Sequence, residues 1–330
     1  MEIITASGGD LEKAAAALAS GALVAFPTET VYGLGGDAFN PSALARIFEA
    51  KNRPRFDPLI IHIADLKALS RIVDTASLNG LARERVELLS RMLWPGPLTL
   101  ILPKHPGLPD LATAGLTTAA VRFPSHPIAQ KLIRLSTGAV AAPSANAFGC
   151  LSPTRAEHVK AQLGGKIDFI IDGGRTLVGV ESTVLDLSPE KPRILRPGGT
   201  AREAIEALIG AVDYYPENAA LPKSPGQLKS HYAPGTPLVL HSRGELAAIP
   251  DAENEGRLYF STDDRITVIK NRMRVLSETG NLSEAAANLF DMLHQLDSLG
   301  LALIRAEEAP GSGLGEAIND RLRRAAQKYS

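Results

Sequence analysis

The chain has 330 residues, is 45% hydrophobic and 22% charged, and carries a formal net charge of −1, so no global cationic field draws it to nucleic acid or membrane and any anion site has to be a local cluster. Its one cysteine, Cys150, excludes an internal disulfide and fits a reducing compartment. The length favours two domains, no apolar run approaches the roughly 20 residues of a membrane helix, and the start Met1-Glu2-Ile3-Ile4-Thr5 lacks a signal-peptide pattern, so a cytoplasmic protein is expected.

In chain order, Asp10 is read as the cap of a helix from Leu11 to Ser20, stopped by Gly21. Ala22 to Phe26 reads as a buried strand ending at Pro27. A hydroxyl-rich turn follows, Thr28-Glu29-Thr30, and then Gly33, Gly35 and Gly36, where the backbone can approach a ligand. Their spacing fits neither a dinucleotide fingerprint nor a Walker loop. Asn40-Pro41 is a cap with a proline at the first helical position, starting the helix that delivers Lys51.

Lys51-Asn52-Arg53-Pro54-Arg55-Phe56-Asp57-Pro58 is the stretch around which the rest is organised. Pro58 keeps Asp57 out of the helix, and Leu59-Ile60-Ile61 forms a buried strand with His62 at its exit. Lys51 and Arg53 are thus placed on a loop between helix and strand, exposed, where an anion such as phosphate would relieve their repulsion. A solvated surface loop is the plain alternative.

Residues 78–93 repeat apolar positions at helical spacing (Leu81, Val86, Leu88, Leu89, Met92), and Trp94 reads as a buried wedge before a strand, Leu98 to Leu102. Arg122 sits inside the apolar run from Thr117 to Phe123 and needs a partner or an opening to solvent. Val140-Ala141-Ala142-Pro143-Ser144-Ala145-Asn146 is a small-residue strand ending in a polar turn. Ser152-Pro153-Thr154 is read as capping a helix, Val180 to Asp186 as a strand with Ser182 and Thr183 at its entrance, and Ile194 to Arg196 as a strand ending in a cation. Cations and hydroxyls recurring at strand ends suggest one polar pocket.

From about Asp213 prolines and glycines punctuate a semi-extended connector that contains Ser224-Pro225-Gly226-Gln227-Leu228-Lys229-Ser230-His231-Tyr232-Ala233-Pro234. A second α/β unit follows, with strands near 237–241, 257–261 and 301–305 and a helix over 282–298 opened by a capping box of Asn281 and Glu284. The tail cations Arg321, Arg323, Arg324 and Lys328 read as a solvated helix face, with RNA contact as the alternative.

Taken together these motifs resemble the YrdC-like family in its long two-domain form, the threonylcarbamoyl-AMP synthases. The resemblance runs from about residue 10 to 236. It rests on Phe26 to Leu34, Lys51-x-Arg53, Pro58 to His62, Ser144-x-Asn146, Asp172-Gly173-Gly174, Glu181 to Val184 and the Ser-Pro-Gly…His-Tyr-Ala-Pro connector. It implies an open, twisted mixed sheet of α/β class over residues 1–212, a connector or lid over 213–236, and a small Rossmann-like α/β domain over 237–330 that mainly anchors the lid.

It also implies the reaction of L-threonine, bicarbonate (or CO2) and ATP, with Mg2+, to threonylcarbamoyl-AMP and pyrophosphate. A downstream transferase would consume the product, and tRNA would be involved only indirectly. By position, Arg53, Asp57, Thr118, Ser144, Ser152, Arg196 and Tyr232 would contact ATP. Thr30, His62, Arg122, Ser182 and the backbone at Ala142 would hold threonine. Lys51 and Asn146 would face the phosphates and magnesium, and no protein ligand to the metal is expected. Asp57 stands where Asn is frequent in the family, so a ribose or base contact is expected there. No Ser-His-Asp triad or catalytic cysteine is needed, because the substrate supplies the nucleophile. An RNA-binding module without ATP turnover is the alternative function. A carbamoyl transferase of hydrogenase maturation is excluded by the lack of zinc-type cysteine clusters.

Overall fold

A computed structural model describes residues 1–214, 231–262 and 271–329. The connector segment Ser224 to Ser230, with Pro225, Gly226 and Gln227, lies outside the described residues. Among the described residues eleven strands form one mixed sheet: β1 (Glu2–Thr5), β2 (Val24–Pro27), β3 (Tyr32–Asp37), β4 (Ile60–Ile63), β5 (Leu98–Pro103), β6 (Thr118–Arg122), β7 (Ala139–Ala141), β8 (Phe169–Asp172), β9 (Thr183–Asp186), β10 (Arg193–Arg196) and β11 (Asp213–Tyr214). Their order is β1-β8-β2-β3-β7-β4-β6-β5-β9-β10-β11. Four more strands, β12 (Leu238–His241), β13 (Glu255–Ser261), β14 (Met273–Ser277) and β15 (Leu303–Glu307), make a parallel sheet in the order β12-β15-β13-β14. This is the mixed α/β architecture with a smaller α/β unit that the sequence implied. No helix among the described residues is long and apolar enough to cross a membrane.

Local chemistry accounts for most boundaries. The Asn40 side chain accepts from the Ser42 and Ala43 amides, Pro41 follows, and the helix Pro41–Lys51 ends where Asn52 turns left-handed at φ 52°. Trp94 is buried, and its indole N–H donates to Leu98 O at 2.7 Å, as a wedge should.

Several expectations shift. The first helix is Gly8–Ala19 with Ser7 at its cap, so Asp10 lies in the first turn, where a carboxylate still favours the helix dipole. The helix Gly80–Leu93 buries Ala82, Val86 and Leu89, while Leu81 and Met92 face solvent. Gly33, Gly35 and Gly36 belong to β3, and a Cβ on Gly35 would meet the Phe26 ring at 2.7 Å, so close strand packing explains that glycine. The helix Ala156–Leu163 begins after Arg155 without a side-chain cap; Ser152 instead bonds Glu181. Asn281 caps Leu282–Asp297 as expected, but Glu284 reaches Ser277 and leaves the capping box unreciprocated. Strand β14 was not anticipated.

The two units have separate cores and meet at an apolar cluster. The main core of the first lies among Leu34, Ile61, Leu100, Val121 and Leu185. A second cluster joins Val31, Leu151, Val180 and Tyr232 to Phe260, Leu289, Phe290, Ile318 and Leu322 of the second unit. Arg155 pairs with Asp291 at 2.7 Å, and the His158 and His294 rings stack at 3.8 Å. The second unit is therefore a wall of the first as well as the far attachment of the connector.

Gly179 is the tightest point of this interface. Its φ is +76°, and a Cβ there would sit 2.3 Å from Ala286 O. Gly179→Ala is expected to destabilise the chain by at least about 1 kcal/mol, more than the unfolded-state benefit of alanine can offset. Urea unfolding compared with wild type checks this; an unchanged midpoint would mean the two units do not touch there in solution.

Candidate active site

The strand ends converge on a cavity of about 490 Å³ counting the open space at its mouth. It is lined by Arg53, Ser144, Arg196, Tyr232, Thr30, His62, Arg122, Ala142 and Ser182 of the residues singled out above. Thr28, Val31, Gly33, Ile60, Pro143, Glu181 and His231 complete the lining. Topology explains the convergence: β4 and β6 are parallel with His62 opposite Arg122, and Thr99 of β5 pairs with Arg122 on the other side.

Protein partners hold the polar groups in place. Arg122 donates to Thr30 Oγ1 at 2.9 Å and pairs with Glu29 at 2.7 Å, so the partner that the sequence left open is the neighbouring Glu29. Burial opposes the charge on Glu29, yet Arg122 wins and holds its carboxyl below the usual range. Thr30 and Thr28 share a hydrogen bond of 2.8 Å. Arg196 donates to Ser182 O at 2.9 Å and to Ser182 Oγ at 3.2 Å, and Ser182 Oγ also lies 2.7 Å from Thr99 Oγ1. Arg53 donates to Pro58 O at 2.8 Å and pairs with Asp57 at 2.8 Å.

Two histidines border the cavity in neutral form. Burial, with Arg122 as the second cause, lowers His62 to about 3. Its Nδ1 donates to Ile60 O at 3.3 Å, leaving Nε2 as an acceptor. Burial and the cations Arg53, Lys51, Arg196 and Arg321 push His231 well below its ordinary value. His231 and Tyr232 reach the cavity because the connector lies on the body of the protein there: Ala233 N donates to Gly149 O at 2.9 Å.

The remaining predicted residues stand behind this lining or away from it. Asp57 is fully buried against Arg53, so its carboxylate is turned to that guanidinium. Ser152 donates to Glu181, which leaves its own oxygen as an acceptor. Asn146 is buried, its amide donating to Ala147 O at 2.9 Å and Cys150 O at 2.8 Å. Thr118 opens β6 at the end opposite Arg122.

Lys51 departs furthest from the sequence reading. It closes its helix and is 1% exposed, with Nζ donating to Ser144 O at 2.6 Å and to Asn146 O. Arg53 is also buried. The flanking prolines and charges suggested a solvated loop; the Ser144–Asn146 turn holds Lys51 instead, and Asp57 and Pro58 hold Arg53.

Besides Thr28 and His231, three charged residues that hold the site were missed. Glu29 and Glu181 lay within quoted motifs, and an acid beside a buried strand-end cation was the available signal. Arg321, read as a solvated tail residue, is fully buried and pairs with Glu181 at 2.6 Å. Its helix Leu314–Ala326 buries Ala317, Ile318, Leu322 and Ala325, so Arg321 sits on the apolar stripe, a pattern visible in the sequence.

The buried Lys51 leads to a stability prediction. Lys51→Ala strips the Ser144 and Asn146 carbonyls of their donor and is expected to cost about 2–4 kcal/mol. Denaturant unfolding measures it; a midpoint equal to wild type would mean that Lys51 is solvated.

The Sua5/YciO/YrdC family, described as "Telomere recombination", matches residues 16–198, and "Threonylcarbamoyl-AMP synthase, C-terminal domain" matches residues 200–327. The threonylcarbamoyl-AMP synthase of Pyrococcus abyssi (strain GE5 / Orsay) is 42% identical over 320 residues, covering 94% of this chain and 92% of the relative. That of Bacillus subtilis (strain 168) is 43% identical over 326 residues, covering 96% and 92%. The crystal structure of P. abyssi Sua5 complexed with L-threonine aligns with a TM-score of 0.90 at 41% identity, over 99% of this chain and 98% of that one. On matches of this extent, the chain belongs to the Sua5/YrdC family of threonylcarbamoyl-AMP synthases.

Proposed function

We propose that this cavity converts L-threonine, bicarbonate and ATP into L-threonylcarbamoyl-AMP and pyrophosphate, releasing water. The observation that carries the reading is the gathering of Arg53, Arg122 and Arg196 with neutral His62 and the hydroxyls of Thr30 and Ser182 in one chamber. The threonine complex of the P. abyssi relative supports threonine as an occupant.

Arg122 spends Nε–H on Gly96 O and one Nη1–H on Thr30 and meets Glu29 through Nη2 as an ion pair, so N–H groups remain for the threonine carboxylate. Thr30, His62 Nε2 and Ser182 would take its polar groups. The threonine ammonium loses a proton, and the free amine adds to the bicarbonate carbon with loss of water to give the carbamate. A carbamate oxygen then attacks the α-phosphorus in line, and the bond to pyrophosphate breaks. Arg53 and Arg196 would stabilise charge on the phosphates, with Ser144 beside them; Tyr232 would contact the nucleoside. Glu29, Asp57 and Glu181 each face an arginine, so magnesium would arrive as part of the MgATP substrate, held by phosphate oxygens. The enzyme's work is then positioning and charge neutralisation.

Pyrophosphate release from ATP should need both threonine and bicarbonate, shown by omitting each in turn. A site that bonds a hydroxyl rejects analogues lacking it far more than analogues lacking a methyl. Valine should therefore be slower than threonine by at least about 100-fold and serine by about tenfold. Turnover of valine at the threonine rate would remove the hydroxyl contact.

The neutral His62 sets a pH expectation. Its folded pKa of about 3 lies below the unfolded value near 6.5, so the unfolded chain takes up the proton first. Between these values the folded state binds fewer protons, and stability falls as pH drops below about 6.5. Threonine affinity by calorimetry should show no break between about pH 5.5 and about pH 7.5, the window in which an ordinary histidine titrates. A break near 6.5 that His62→Gln removes would show that this histidine titrates.

A further inference from the structure

We propose that Arg321, from the second domain, is a positioning residue that holds Tyr232 against the cavity through the Tyr232 ring and the Glu181 ion pair. Tyr232 adopts φ +61°, a left-handed conformation that a bulky aromatic residue keeps only when its surroundings enforce it. Main-chain bonds flank it, from His231 N to Arg324 O at 3.3 Å, from Ala233 N to Gly149 O at 2.9 Å, and from Gly235 N and Thr236 N to Asp297 at 3.0 and 2.7 Å. Those bonds fix the flanking backbone, and contacts on the ring itself complete the hold.

Arg321 is placed to supply it. Its guanidinium carbon lies 4.9 Å from the Tyr232 ring centroid, within cation–π range, and the ring is shut off from solvent. The guanidinium is itself held on its other edges. Nε donates to Glu181 at 2.6 Å, Nη2 donates to Pro197 O at 3.0 Å, and Asp320 pairs with Nη1. Glu181 lines the cavity and Pro197 follows the strand that ends in Arg196, so the second domain grips the catalytic sheet at the same point where it grips the connector. The Phe290 ring, also of the second domain, lies 5.9 Å from the Tyr232 ring. A planar, permanently charged group suits this place: it can stack on a ring with its face while its edge forms an ion pair.

The inference rests on the proposed reading only for its consequence, that Tyr232 contacts the nucleotide; the positioning itself can be read without ATP. In the full-length chain, hydrogen exchange of residues 231–236 should be at least about tenfold faster in Arg321→Met than in wild type, with β4 and β6 unchanged. Arg321→Lys keeps the charge opposite Glu181 but loses the flat stacking face. It should give a smaller increase confined to the same residues, and it serves if Arg321→Met does not fold. Unchanged exchange in 231–236, or equal acceleration throughout the chain, would overturn the proposal.

Steady-state kinetics separate the consequence. KM for ATP should rise about tenfold, the scale of one cation–π contact, with kcat within about threefold and threonine affinity unaltered. Arg321→Met should add nothing in a Tyr232→Leu background, because it acts through that ring. Faster exchange without any change in KM would support the positioning role and refute Tyr232 as a nucleotide contact. Multiplying effects in the double variant would refute action through Tyr232.

Discussion

Cations cannot be gathered inside a protein unless each one meets compensating groups, because an unpaired buried charge loses its hydration with nothing in return. The cavity at the strand ends is built around that constraint. Arg53 faces Asp57, Arg122 faces Glu29 and Arg321 faces Glu181, each at 2.6 to 2.8 Å. Lys51 is held by the Ser144 and Asn146 carbonyls. The acids do more than neutralise. A guanidinium fixed along one edge presents its remaining N–H groups in a set direction, so the geometry of the pairs becomes the geometry offered to a ligand.

The same constraint decides what was legible in the sequence. Strands β4, β5 and β6 are continuous apolar runs broken by turn residues, and they stand close to where periodicity put them. Cations at strand ends were equally visible, because a charge interrupting such a run is conspicuous. What could not be read was which acid meets which cation. Glu29 reaches Arg122 across 93 residues of chain and Arg321 reaches Glu181 across 140, and neither separation leaves a local pattern. Burial of Lys51 was hidden for a similar reason. The turn that covers it lies at Ser144–Asn146, and composition around Lys51 itself reads as solvated.

Arg321 marks the other limit. A solvated tail was inferred from the density of charge, but that property averages over the faces of a helix. The face of Leu314–Ala326 that carries Ile318 and Leu322 is apolar, and Arg321 shares it. A cation on an apolar stripe has to find a partner in whatever the stripe packs against. That consideration calls for a buried partner without saying which acid supplies it.

The interface then has a clear physical role in a reaction whose nucleophile comes with the substrate. Nothing in such a site has to be activated covalently; three reactants have to be held in line while water is kept out. A single open sheet presents strand ends on one side only and leaves its mouth uncovered. The second domain closes that side with an apolar cluster that includes Val31, Leu151 and Val180, residues adjoining Thr30, Ser152 and Glu181 in the chain. The wall that excludes water is therefore continuous with the residues that line the cavity. Gly179, one residue from that cluster and two from Glu181, donates to Thr30 O at 3.1 Å while lying against the backbone of Ala286 and Ala287. Packing of the second sheet is transmitted to Thr30 by main chain, with no flexible side chain between, and an arrangement of that stiffness is what a catalyst working by position requires.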